Sequence, residues 1–135
     1  MKKIIVLLMI SFTIVTATTI HDIQSGAVEE EESYLIQGIV TAANGETAEG
    51  DTSFYIQDGE GAYNGINVIS SEYTVSRGDL IEVYGEYIEF YGRSEIRYPD
   101  NLEILSSGNE LPEPETLTLN QADWEPWEGV LIRIE

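Results

Sequence analysis

The chain has 135 residues, with 25 acidic against six basic, no cysteine and a formal net charge of −19. Without cysteine there is neither a disulfide framework nor a lipid attachment at an N-terminal cysteine. A surface this acidic repels phosphate backbones and offers almost none of the counterion release that drives non-specific nucleic-acid binding.

Lys2 and Lys3 precede an apolar run from Ile4 to Val15, and Val15-Thr16-Ala17 has the small residues of a cleavage site. Residues 1–17 therefore read as a secretory signal peptide, with an uncleaved membrane anchor as the alternative. The expected location is secreted, periplasmic or extracellular, with no stable membrane insertion after cleavage. Cutting at Ala17 removes two of the six basic residues and none of the 25 acidic ones. Four arginines then face 25 carboxylates, for a net charge of −21.

Residues 18–33 hold His21, a Ser25-Gly26 pair and four adjacent glutamates, Glu29 to Glu32. Mutual repulsion makes this an exposed acidic leader with little structure of its own. Tyr34 to Ala42 alternates, with Tyr34, Ile36, Gly38 and Val40 on one face, and predicts a first strand. Asn44 to Asp51 is a polar loop. Thr52 to Gln57 and Gly65 to Ser70 form a hairpin around Asp58-Gly59-Glu60-Gly61, with Phe54, Ile56, Ile66 and Val68 inward. Ser70 to Arg77 has room for one helical turn.

The strongest signal is Asp79 to Gly92. Ile81 and Val83 alternate with Glu82 and Tyr84, Gly85 marks a bulge or bend, and residues 86–90 resume the alternation, with Ile88 and Phe90 set among Glu86 and Glu89. A fifth strand, Ser94 to Tyr98 and Leu102 to Leu105, is expected to break at Pro99-Asp100-Asn101, because proline removes a ladder donor. Ser106 to Glu115 reads as a stiff linker. Thr118 to Asp123 suits a short helical start, and Glu128 to Glu135 an additional strand. Trp124 and Trp127 suit packing against an open barrel end or a neighbouring domain.

Five strands with a glycine-marked bend define an all-β chain: a small five-stranded OB-fold-like Greek-key barrel with an extra C-terminal strand. The barrel spans residues 34–107, and residues 108–135 form a proline-containing linker and terminal strand, the possible start of a further domain.

Specific segments carry a resemblance. Phe54-Tyr55-Ile56-Gln57-Asp58-Gly59, Gly65-Ile66-Asn67-Val68, Gly78 to Gly85, Glu89-Phe90-Tyr91-Gly92, Leu102 to Gly108 and Trp127 to Arg133 are in order throughout. Together with Ile20 to Gln24 they resemble the OB-fold module of secreted bacterial and archaeal nucleases. In that family the module often precedes an endonuclease/exonuclease/phosphatase-type catalytic domain. The resemblance implies an accessory module, or the N-terminal part of a longer secreted nuclease, with a downstream or separate catalytic domain. A second resemblance is to stand-alone periplasmic OB-fold proteins, which bind small cationic or other ligands.

The residues themselves offer no catalytic set: no cysteine, one histidine in the leader, no Gly-x-Ser-x-Gly elbow and no phosphate loop. The expectation is a non-enzyme. OB-folds bind strands across the face of their second and third strands, with stacking aromatics between flanking loops. Outward Tyr55, Gln57, Asn67 and Tyr84, with Tyr63 in the hairpin turn, form the candidate face, and Arg77, Arg93 and Arg97 its charged partners. Single-stranded nucleic acid or an oligosaccharide is the expected ligand. The alternative is an acidic interaction domain that holds Ca²⁺ or a basic protein. Asp58, Glu60 and Asn64 place oxygen ligands around the hairpin turn as a Ca²⁺ loop does, without the bidentate glutamate and glycine of an EF-hand.

Overall fold

Apolar alternation over five segments closes a barrel in the computed structural model, which describes residues 17–135. The signal peptide predicted over residues 1–17 lies, Ala17 apart, outside the described residues. The strands are β1 (Ser33–Ala42), β2 (Ser53–Gln57), β3 (Gly65–Ile69), β4 (Leu80–Glu89) and β5 (Ser94–Ser106). They run in the order β1-β2-β3-β5-β4, and β4 returns to pair with β1. All pairs are antiparallel except β3 with β5. This five-stranded Greek-key closure is an OB-fold. Ile36, Val40, Phe54, Ile56, Ile66, Val68, Ile81, Val83 and Ile96 fill the interior, so the predicted inward faces of β1, β2 and β3 are those observed.

The leader departs from its expected form. Residues Ile20–Gln24 make a helix, α1, closed by a reciprocal capping box between Thr19 and Asp22. Five residues do not hold a helix alone in water; burial of Ile20 and Ile23 in the barrel core supplies the stabilisation. Two isoleucines three residues apart on one helical face outweigh the polarity of the segment. His21 stays exposed, its ring edge-on to Tyr63 at 5.8 Å.

Other readings are corrected as well. The inward set of β4 does not change phase at Gly85: Tyr87 is buried, while Phe90 is exposed. β5 is continuous through Pro99, and the irregularity is a bulge in which Tyr84 pairs with Asn101 and Glu86 with Arg97. Pro99 presses on β4 there. A Cβ on Gly85 would sit 2.9 Å from the Pro99 Cα, so glycine makes room for the bulge rather than bending its own strand. The Tyr87 hydroxyl donates to Glu89 at 2.7 Å, and burial with that partner pushes it up to about 12. Ser70 to Arg77 has no helical turn; Val75 anchors it in the core.

Beyond β5 the chain is pinned where the Asn109 amides, main-chain and side-chain, donate to the Gly78 carbonyl, each at 2.9 Å. It forms β6 (Glu115–Leu117), turns through residues 118–123 without an α-helix, and makes a 3₁₀ turn at Glu125–Trp127. β7 (Ile132–Ile134) then pairs in parallel with β6, not with the barrel. Trp124 is exposed and Trp127 half-buried.

Candidate ligand face

Outward positions of β2, β3 and β5 lie side by side because their registers align. Tyr55 is opposite Asn67, and Asn67 is opposite Glu95. Gln57 and Gly65 form the next row. These residues are held on the outside by their inward neighbours Phe54, Ile56, Ile66, Val68 and Ile96, so the barrel core fixes the face.

Charge on this face is organised around Glu95, which is fully buried. The Arg93 guanidinium reaches one carboxylate oxygen at 2.5 Å, and Arg97 Nε the other at 2.6 Å. Arg93 also meets Glu49, in the β1–β2 loop, at 2.5 Å. Burial opposes its charge, but hydrogen bonds to Glu49 and Glu95 outweigh that and raise its pKa further. The same contact with Arg93 holds the Glu49 carboxyl below its usual range. Arg97 lies over the Phe90 ring, 3.9 Å from its centroid, a cation–π contact. Arg93 thus ties the loop before β2 to the start of β5 across the face.

The C-terminal segment lies over the other half. Leu131 N–H donates to Gln57 Oε1 at 2.8 Å, and Tyr63 N–H to the Pro126 carbonyl at 2.6 Å. Ser94 N–H donates to Glu128 Oε1 at 2.7 Å. A Cβ on Gly65 would stand 2.1 Å from the Gly129 carbonyl oxygen, an approach only two glycines permit. Gln57 is consequently fully buried; Asn67, between Tyr55 and Glu95, is fully buried as well, and its Oδ1 has no hydrogen-bond partner. A groove of about 290 Å³ stays open beside this cover, lined by Thr41, Ala42, Tyr55, Gly129, Val130 and Leu131. Burial pushes the Tyr55 hydroxyl up against the pull of Arg93.

The sequence-selected residues therefore divide. Tyr55, Gln57, Asn67, Arg93 and Arg97 share the face, and Tyr63 flanks it in the hairpin turn. Gln57 and Asn67 are corrected from open to buried positions, Gln57 because Gly65 lets the C-terminal backbone settle there. Tyr84 is on β4, separated from β2 by β1 and from β3 by β5, and does not join the face. Arg77 pairs with Glu46 at 3.1 Å and is not part of the Glu95 network. As phosphate partners the three arginines are already engaged by glutamates. Around the hairpin turn, Asp58 N–H donates to the Asn64 carbonyl, and the Asn64 side chain donates to the Glu60 carbonyl. Among the described residues no group of three or more histidines and carboxylates is placed to hold a metal ion.

Glu49, Glu95, Glu128, Thr41 and the residues 129–131 are not among the site residues that the sequence suggested. Arg93, Glu95 and Arg97 recur at period two, which places all three on one side of a strand, and that charge pattern was the available signal.

No protein-family model matches the sequence, and no curated protein matches it significantly. Solved structures do resemble it. The hypothetical protein ygiW from E. coli has a TM-score of 0.51 at 17% identity, over 67% of this chain and 90% of that one. An aspartyl tRNA synthetase from Entamoeba histolytica also reaches 0.51, at 16% identity, over 74% of this chain and 23% of the synthetase. A weaker likeness, TM-score 0.43 at 22% identity, is to the second OB-fold domain of replication protein A from Methanococcus maripaludis, over 62% of this chain and 93% of that one. At these identities the first two likenesses bear on the fold alone. The chain is an OB-fold protein, and none of these three structures is of a secreted nuclease.

Proposed function

We propose that this chain is an exported, non-catalytic OB-fold binding module that takes an uncharged oligosaccharide on the face of β2, β3 and β5. The observation that carries the reading is the buried Glu95 held between Arg93 and Arg97. A nucleic-acid groove needs arginines free to neutralise phosphates. Here Glu49, Glu95 and Glu128 share the face with two arginines, in a chain of net charge −19, and a polyanion is repelled.

A neutral sugar polymer asks for something else: an aromatic surface and fixed polar groups with orientation, without counterion release. Tyr55 at the groove supplies the surface, and Gln57, Asn67 and the arginine–glutamate network supply donors and acceptors. OB-folds bind oligosaccharides as well as oligonucleotides on this face. In the same reading the module serves a separate catalytic domain, as the accessory modules of secreted nucleases do, and export follows from the signal peptide read at residues 1–17.

The test is fluorescence anisotropy of labelled cellohexaose, chitohexaose and an oligothymidylate, titrated with residues 18–135 at low and moderate salt. Saturable binding of a hexasaccharide that ignores salt and is lost in Tyr55→Ala supports the reading. Binding of the oligothymidylate alone, weakening as salt rises, sinks it.

A further inference from the structure

The cover over Gln57 and Gly65 is held differently from the barrel beneath it. The buried apolar side chains of the tail are Leu117 and Val130, and neither belongs to the core cluster. Where Gly129 approaches Gly65, the contact is backbone on backbone: the atoms nearest to a Cβ on Gly65 would be main-chain atoms of Gly129 and Val130. Its other anchors on the face are polar: the hydrogen bonds from Leu131, Tyr63 and Ser94, and the Gln24 side chain on Glu128. Segments with few buried apolar groups open below the free energy of global unfolding.

We propose that residues 124–131 are a displaceable cover, which occupies the ligand face in the free protein and lifts from Gln57 and Gly65 when an extended saccharide lies across it. The proposal rests on the reading of this face as the ligand site. The cover already imitates a ligand: Leu131 offers Gln57 Oε1 the kind of donor that a sugar hydroxyl carries. Lifting it returns Gln57 to solvent beside Tyr55, and doubles as a filter, because a ligand must replace the hydrogen bonds that the backbone gives up. Affinity in the free protein is reduced by the fraction of molecules with the cover lifted.

Both tryptophans of the chain, Trp124 and Trp127, lie in the cover, so intrinsic fluorescence reports on it while far-UV circular dichroism reports on the barrel. In the unmodified protein the fluorescence transition is expected at lower denaturant than the dichroism transition. Gly129→Val adds a side chain where a Cβ already meets the Gly65 carbonyl carbon at 2.8 Å. This variant is expected to red-shift the emission in native buffer, keep the barrel spectrum and bind labelled cellohexaose or chitohexaose about tenfold tighter. Val130→Asp, which removes the apolar anchor without touching the barrel, is expected to do the same. Coincident transitions, or loss of the barrel spectrum in both variants, would overturn the cover, as would a released cover that leaves measurable saccharide affinity unchanged. Release with an intact barrel and no saccharide bound by any form supports the cover and overturns the oligosaccharide reading alone.

Discussion

The Arg93 guanidinium lies 2.5 Å from a carboxylate oxygen of Glu95, and Glu95 is fully buried while Arg93 is about a quarter exposed. A buried carboxylate stripped of its partners costs far more than the intact pair contributes. Arg97 on the second oxygen makes the arrangement redundant, and the partial exposure of both arginines screens each single loss. The double variant Arg93→Ala/Arg97→Ala is therefore expected to lose about 3–5 kcal/mol. Adding Glu95→Ala should recover a large part, because no uncompensated charge is then left. Urea denaturation of the three proteins measures both changes.

Helix α1 makes a second expectation. Ile23 is fully buried against the barrel, at the end of a segment that composition alone marks as solvated. Ile23→Ala should cost about 2–5 kcal/mol, the usual range for deleting a buried isoleucine. Thermal unfolding followed by circular dichroism checks it. A loss below 1 kcal/mol, on the order of an ordinary surface substitution, would mean that α1 contributes nothing to the core.

Glu128 gives the cover a pH dependence. Burial raises its carboxyl above the usual range, against the lowering by the Ser94 amide and the Gln24 side chain; Glu125 and Glu89 add to the rise. A folded-state value above the unfolded one means that its contribution is fully present below the unfolded value and is lost as pH rises through the folded value. Glutamine keeps an oxygen for Ser94 and never ionises. The stability of Glu128→Gln relative to the unmodified protein should thus climb as pH rises above the ordinary glutamate value of about 4.3. Carboxylates such as Glu49, whose values are lowered, act in the opposite direction in both proteins and cancel in the difference. A difference that stays flat, or falls, contradicts the burial of this carboxyl.

The barrel was legible because its signals are local. Ile36 and Val40, Phe54 and Ile56, Ile66 and Val68, and Ile81 and Val83 alternate at period two, and each pair points into the core. Gly85 was read as a disturbance, and it is one, but its cause is Pro99 on the neighbouring strand, which alternation within a single segment does not register. The same limit explains the face. Tyr55, Gln57 and Asn67 could be placed outward from their parity. That Gln57 is covered follows from Gly65 meeting Gly129, a pairing across 64 positions of chain with no periodic signature. Tyr84 was grouped with Tyr55 because both are outward; strand order separates them. Ile20 and Ile23 did not read as a buried helical face because two apolar residues in a polar leader are too few to show a period.

The most direct test of the account is an amide chemical-shift map of residues 18–135 with cellohexaose or chitohexaose added. The account predicts shifts at Thr41, Tyr55, Asn67 and Gly129 to Leu131, with Tyr84 and Arg77 unmoved and no response to an oligothymidylate. Shifts centred on β4, or a response to the oligothymidylate and to neither hexasaccharide, would contradict it.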